Sequence, residues 1–63
     1  MRQWLKDIRK SKGLTTYDAG TLSGISQSHY SSIENGTRGV RVRVAKKIAA
    51  ALGFEWQRFY EEE

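Results

Sequence analysis

Apolar residues recur along the chain at intervals of three or four, the spacing that places side chains on one face of an α-helix. The pattern predicts four helices, at about residues 2–12, 16–23, 27–35 and 42–52. A short fifth helix is predicted at residues 55–60, which carry three aromatic side chains. The residues expected in or beside a common core are Trp4, Leu5, Ile8, Leu14, Ala19, Leu22, Tyr30, Ile33, Val44, Ile48, Ala51 and Leu52. The predicted fold class is all-α, with five helices in one domain spanning residues 1–63.

Start and stop signals bound the second and third predicted helices. Thr15 and Asp18 have the spacing of a capping box, in which the two side chains cover orphan backbone N–H groups. Gly24 stands where a left-handed residue ends a helix, and Ser26 is suited to cap the next helix at once. Gly36 ends that helix in turn. Two short helices joined by a tight turn form a helix-turn-helix, which presents its second helix to the major groove of DNA.

Residues 40–44 support two interpretations. Valine alternates with arginine there, which is a strand pattern. Because the chain offers no second strand for pairing, a helix that begins near Val42 is the favoured interpretation, and an extended segment is the alternative.

The order and spacing of several phrases resemble the Xre family, the phage-repressor and Cro type of helix-turn-helix. The phrases are Leu5 to Arg9, Gly13-Leu14-Thr15, Gly24-Ile25-Ser26, Ile33-Glu34-Asn35-Gly36, Arg38, Lys47-Ile48-Ala49 and Ala51-Leu52-Gly53. The resemblance covers nearly the whole chain and implies a lambda-repressor-like fold. It implies a small transcriptional regulator, a repressor from a phage or another mobile element, that binds double-stranded DNA sequence-specifically.

The charge distribution is uneven. The net charge is +4, but residues 1–54 hold ten lysines and arginines against three acids, a balance of +7. Residues 55–63 hold four glutamates against one arginine, a balance of −3. A basic stretch without any acid lies between residues 35 and 53, and it consists of Arg38, Arg41, Arg43, Lys46 and Lys47. Beside a polar helix, such a stretch is the electrostatic footprint of a phosphate-binding surface; the alternative is a solvated face balanced by the acidic tail.

Composition excludes several other classes of function. The chain has no cysteine and one histidine, so we expect no disulfide and no metal site. No apolar run approaches the roughly 20 residues of a membrane span, and the first residues lack the apolar region of a secretory signal. We therefore expect a cytoplasmic protein that does not contact membranes. No combination of nucleophile, base and orienting residue is visible, so we expect no enzymatic activity, no cofactor and no small-molecule substrate.

The predicted helix 27–35 has a polar face opposite Tyr30 and Ile33. In the family this helix reads bases, and the resemblance implies that role for Gln27, Ser28 and Ser32, and less strongly for Ser31 and His29. A glutamine can bond adenine N6 and N7 together, and serine can serve several bases. The alternative is an ordinary solvated helix face.

Phosphate contacts are expected around this helix. The candidates are Thr16, His29, Arg38, Arg41 and Arg43. Thr16 stands where the family often has a phosphate-binding glutamine, and His29 is expected either to pack at the core edge or to contact phosphate. Arg41 stands where a serine usually caps helix four, and an arginine there opposes the helix dipole unless a phosphate lies between them.

The resemblance also implies an ion pair between Arg9 and Glu34 that joins helices one and three. We further expect a homodimer on an inverted-repeat operator, formed through Trp56, Phe59 and Tyr60, with Trp4 extending the patch. The expectation rests on size, because so small a domain buries only about 60% of its unfolded surface. Alternatively the aromatics complete the core of a monomer. A rival function for the whole chain is protein interaction, as in an antitoxin subunit with secondary DNA binding.

Overall fold

A computed structural model describes residues 1–61, so Glu62 and Glu63 of the acidic tail lie outside the described residues. Its elements, in chain order, are α1 (Gln3–Ser11), α2 (Thr16–Ser23), α3 (Gln27–Asn35), α4 (Val42–Leu52) and a 3₁₀ helix (Trp56–Tyr60). The all-helical class is confirmed, but the number of α-helices within residues 1–61 is four. Residues 55–61 instead form bonds between residues three apart, from Arg58 N to Glu55 O and from Glu61 N to Arg58 O. Five residues give little length for an α-helical ladder, and the tighter 3₁₀ turn is common in such short pieces.

The ends of α2 and α3 follow their capping signals. Thr15 and Asp18 form the reciprocal capping box, and Gly24 ends α2 in the left-handed conformation with φ of 75°. The Ser26 hydroxyl accepts a hydrogen bond from the N–H of His29, and Gly36 ends α3 with φ of 81°. These side chains and glycines fix the length of each helix and the turn between them.

The segment that supported two interpretations adopts the helical one from Val42 onward. Val40 and Arg41 precede the helix, and Arg41 occupies the N-cap with an extended backbone (φ −81°, ψ 153°) and no side-chain capping bond. No strand forms within residues 1–61.

One core lies where the four α-helices and the 3₁₀ helix meet. Its largest fully buried side chains are Leu5, Tyr30, Ile33, Ile48 and Leu52. On α4, Ala45 and Ala49 are buried, whereas Val44 and Ala51 are half-buried. The predicted core face of α4 is thus rotated slightly from the observed one.

The prediction that Leu22 is buried is wrong, because its side chain is 59% exposed. The buried face of α2 is formed by Ala19, Gly20 and Ser23. Leu22 lies two residues after Gly20, which places it about 200° around the helix from that residue. Small residues let α2 approach its neighbours closely: a Cβ on Gly20 would lie 3.1 Å from the carbonyl oxygens of Ile25 and Ser26. A side chain at this position would therefore require the turn before α3 to move by a few tenths of an ångström.

None of the helices in the described part of the chain combines the length and the apolar character that crossing a membrane requires.

Candidate nucleic-acid interface

The N-terminal end of α3 presents polar side chains at the surface. Gln27 and Ser28 are exposed, whereas Ser31 and Ser32 are half-buried. The Ser32 hydroxyl donates a hydrogen bond of 3.0 Å to the carbonyl of Ser28, so its proton is used within the helix and its oxygen remains an acceptor. Ser28 and Gln27 therefore have the most accessible polar groups of these four base-reading candidates.

Gln27 is tied to Thr16, one of the expected phosphate ligands. The Gln27 side-chain Nε2 donates a hydrogen bond of 2.9 Å to Thr16 Oγ1, and both residues are the first of their helices. The two candidates for different contacts with DNA thus form one polar unit at the adjoining N-terminal ends of α2 and α3. No sequence signal indicates this bond, because the two residues are 11 positions apart and lie on different helices.

A basic cavity adjoins α3. It is lined by His29, Arg38, Gly39, Arg41, Arg43 and Val44. The structure therefore brings together four of the five expected phosphate ligands, His29 and the three arginines. Gly39 and Val44 contribute to the cavity without having been expected there.

The cavity lies at the N-terminal end of α4. Because Arg41 makes no side-chain capping bond, the first N–H groups of α4 have no side-chain cap. Unpaired N–H groups and the positive end of the helix dipole favour an anion. Together with the arginines, they give this end of α4 the chemistry of a phosphate-binding surface.

A buried ion pair joins α1 to α3. Arg9 Nε lies 2.9 Å from Glu34 Oε1, and Arg9 Nη2 lies 3.1 Å from Glu34 Oε2, so the pair is bidentate. Tyr30 donates a hydrogen bond of 2.9 Å to Glu34 Oε1, and Arg9 Nη1 donates one of 2.8 Å to the carbonyl of Leu14. The hydrogen bond to Glu34 raises the pKa of Arg9, and burial raises the pKa of Tyr30 above its usual value. The network holds α3 in a fixed position relative to α1.

Arg2 adds a second link to α3 that sequence reasoning missed. Its guanidinium donates a hydrogen bond of 2.5 Å to the carbonyl of Ile33, and its backbone N–H donates one of 2.7 Å to the carbonyl of Glu34. A cation near the last carbonyls of a helix is favourable to the helix dipole. The same guanidinium lies 5.6 Å from the centre of the Phe59 ring.

The C-terminal aromatics divide between core and surface. Phe59 is 2% exposed and packs against Trp4 and Phe54, with ring centres 5.1 and 5.6 Å away, so in the single chain it does not reach the surface where a dimer contact is expected. The 3₁₀ helix places Phe59 against α1 and α4. The next residue, Tyr60, points outward. Trp4 and Trp56 are half-buried and Tyr60 is 46% exposed, so these three members of the expected patch reach the surface.

Within residues 1–61 no group of histidine, aspartate and glutamate side chains is placed to hold a metal ion. The fold and the polar and basic face together define an all-helical helix-turn-helix domain. A family model described as "Helix-turn-helix" matches residues 5–59. The chain therefore belongs to the helix-turn-helix family, in its Xre type.

Three curated relatives are similar to this chain. YqaF of Bacillus subtilis (strain 168), named as an HTH-type transcriptional regulator, is 45% identical over 62 residues, which cover 98% of this chain and 82% of YqaF. RghR of the same organism, named as an HTH-type transcriptional repressor, is 39% identical over 54 residues, which cover 84% of this chain and 40% of RghR. HigA2 of Mycobacterium tuberculosis, named as a candidate antitoxin, is 40% identical over 52 residues, which cover 81% of this chain and 52% of HigA2.

The chain thus spans most of YqaF and about half or less of the other two relatives. No solved structure matches the chain at a significant level.

Proposed function

We propose that this protein is a transcriptional regulator that binds double-stranded DNA sequence-specifically with α3 in the major groove. The observation that carries the proposal is the shared cavity of His29, on α3, with Arg38, Arg41 and Arg43 beside it. A helix that enters the groove needs cations at its flank, because phosphate contacts fix its register on the duplex. The relatives named as transcriptional regulators support the same function.

Base reading is assigned to the exposed end of α3. Gln27 reads adenine through its amide, Ser28 contacts a neighbouring base, and Ser31 and Ser32 contribute hydroxyl oxygens farther along the helix. Short side chains allow the helix to approach the base edges closely, and the amide supplies a donor and an acceptor together. The bond between Gln27 and Thr16 supports this assignment because it orients the amide before DNA arrives.

Phosphate binding is assigned to Thr16 and to the residues of the basic cavity. The three arginines neutralise phosphates, His29 borders the same phosphate, and the uncapped start of α4 supplies N–H donors. These contacts carry no sequence information and set the strength of binding on any duplex.

The regulator acts as a homodimer on an inverted repeat, with half-sites one helical turn apart, about 34 Å. Trp56 and Tyr60 form the contact surface, whereas Phe59 is buried in the core of each protomer. A two-fold dimer presents two copies of α3 to two half-sites. We further propose that the protein represses transcription for a phage or another mobile element and works in the cytoplasm.

The second candidate function is that of an antitoxin subunit whose main partner is a protein, and the similarity to HigA2 favours it. Selection of bound duplexes from a random DNA pool tests the two functions. A regulator enriches one inverted-repeat sequence and binds it with steep salt dependence. An unenriched pool together with weak binding to every duplex contradicts sequence-specific regulation and leaves the antitoxin function as the better one.

A further inference from the structure

The C-terminal 3₁₀ helix touches the loop that connects α3 to α4. The Tyr60 hydroxyl donates a hydrogen bond of 2.6 Å to the carbonyl of Val40, 20 positions earlier in the chain. The Tyr60 ring contacts the Trp56 ring edge-on, with ring centres 6.1 Å apart. Trp56 in turn lies under the Lys46 ammonium, 5.2 Å from the ring centre. The Tyr60 ring is therefore linked to α4 through Trp56 and Lys46, and the Tyr60 hydroxyl is bonded to the loop.

That loop, residues 37–41, is held near both of its ends, and between them the Val40 side chain packs against the core. At its start the Thr37 N–H donates a hydrogen bond of 3.1 Å to the carbonyl of Ser32. At its end the Arg41 carbonyl accepts a hydrogen bond of 2.8 Å from the Ala45 N–H. A Cβ on Gly39 would meet nothing within 4 Å, so the loop is open there, and glycine has the widest conformational freedom of any residue. Val40 is half-buried, whereas its neighbours are exposed. The bond from Tyr60 adds a polar link to the second half of the loop, at the backbone between Gly39 and Arg41.

The carbonyl that accepts the hydrogen bond from Tyr60 is that of Val40, the residue directly before Arg41. Arg41 is the N-cap of α4, and its side chain lines the basic cavity with Arg38 and Arg43. The position of the Val40 carbonyl consequently sets where the Arg41 side chain begins.

We propose that Tyr60 is a positioning residue for phosphate binding, which it serves by holding the basic loop in the conformation that binds DNA. The inference rests on the proposed function and adds to it a residue that does not touch DNA. Without the hydroxyl bond the loop samples other conformations, and the apparent affinity equals the intrinsic affinity multiplied by the fraction of molecules in the binding-competent conformation. Because phosphate contacts carry no sequence information, the loss of affinity is equal on specific and random duplexes.

The test compares Tyr60→Phe with Tyr17→Phe. Tyr60→Phe keeps the aromatic ring and removes only the hydroxyl, so the apolar surface is preserved. Tyr17, 63% exposed on α2, is the matched control for the loss of a tyrosine hydroxyl. We expect Tyr60→Phe to weaken binding about three- to ten-fold on every duplex, the range set by one hydrogen bond. The slope of log affinity against log salt stays unchanged, because no charge is removed.

A double-mutant cycle separates positioning from a general loss of stability. If Tyr60 acts through Arg41, Tyr60→Phe costs less affinity in an Arg41→Gln background than in the wild type. In a Gln27→Ala background the cost stays the same, because Gln27 does not belong to the loop. An unchanged affinity of Tyr60→Phe, or an equal decrease in all three backgrounds, would overturn the inference.

The free protein gives an independent readout. Backbone ¹⁵N order parameters of Gly39 and Arg41 should fall in Tyr60→Phe and not in Tyr17→Phe, while those within α2 stay constant. Unchanged order parameters in the loop would contradict the role of Tyr60. A wild-type protein that binds no duplex refutes the proposed function itself, and with it the role of Tyr60 in DNA binding. The two failures are distinguishable. Failure of the Tyr60 role is seen when variants are compared, whereas failure of the proposed function is seen in the wild type alone.

Discussion

Gln27 Nε2 donates a hydrogen bond of 2.9 Å to Thr16 Oγ1, which links the first residue of α3 to the first residue of α2. A glutamine amide has two N–H donors and one carbonyl acceptor. With one N–H bound to Thr16, the other N–H and the carbonyl remain for a base, and the plane of the amide is set. In the proposed complex with DNA, α2 thus takes part in base reading by orienting the Gln27 side chain.

We expect Gln27→Ala to cost about 1–3 kcal/mol on the preferred duplex and to relax the preference at one base position. Thr16→Val, which removes the acceptor of the orienting bond, should relax the preference at the same position by a smaller amount. Gln57→Ala is the control, because Gln57 is exposed on the 3₁₀ helix. Affinities for a set of single-base variants of the site measure the effect. An equal decrease on every sequence would mean that Gln27 contacts only phosphate.

The arginines that line the basic cavity should set the salt dependence of binding. Replacing Arg38, Arg41 or Arg43 by glutamine should weaken binding on all sequences alike. The slope of log affinity against log salt should fall by about one for each phosphate that the variant no longer neutralises. Lys10→Gln, which removes an exposed charge on α1, is the matched control. If none of the three arginine variants changes the slope more than this control does, the DNA surface lies elsewhere on the molecule.

Local signals were sufficient to predict the helix-turn-helix. The Thr15 capping box, the Ser26 cap and the glycines after α2 and α3 act within a few residues of each helix end, so the sequence shows them directly. The bounds of α2 and α3 agree with the prediction for the same reason. The bounds of α4 also agree, although only its end, at the left-handed Gly53, has such a signal.

The faces of the helices were harder to predict, because they depend on partners distant in sequence. Leu22 is apolar, yet the close approach of Gly20 to the turn before α3 directs another face of α2 inward. Phe59 is buried because Trp4 and Phe54 surround it. The bonds from Gln27 to Thr16 and from Tyr60 to Val40 join residues 11 and 20 positions apart, and no spacing rule connects them.

The buried ion pair should control stability. Glu34→Gln keeps the shape of the side chain but leaves the Arg9 charge uncompensated in the core, and breaking a buried pair in this way costs about 3–5 kcal/mol. Replacing both residues by leucine should cost less than Glu34→Gln, because no unpaired charge remains. Urea unfolding followed by circular dichroism measures both free energies. A double variant less stable than Glu34→Gln would show that the bonds of the network, including those to Tyr30 and to the Leu14 carbonyl, contribute more than the penalty of an orphaned charge.

Tyr30 should make the protein sensitive to alkaline pH. Burial raises its pKa in the folded state above the value of about 10 in the unfolded chain. The stabilisation from neutral Tyr30 is therefore fully present below about pH 10 and is lost as the pH rises through the folded-state pKa. The difference in unfolding free energy between the wild type and Tyr30→Phe should be constant up to about pH 10. Above that pH the wild type should lose stability relative to Tyr30→Phe. A difference that stays constant above about pH 10 would contradict the raised pKa.

The surface formed by Trp56 and Tyr60 should mediate dimerisation. A domain of this size buries only about 60% of its unfolded surface, and exposed aromatic side chains often mark partner surfaces. Trp56→Gln should shift the protein toward monomer at micromolar concentration and weaken binding to a palindromic site more than to a half-site.

Leu22→Gln is the control for that variant, because Leu22 is an exposed apolar side chain on α2, outside the expected contact surface, and it should leave the dimer unchanged. Sedimentation equilibrium from micromolar to millimolar concentration gives the masses. A constant monomer mass in the wild type, together with one protein bound per palindrome, would contradict the dimer. The aromatics would then serve only to complete the core of a monomer, as the contacts of Phe59 with Trp4 and Phe54 already do on the buried side of the same segment.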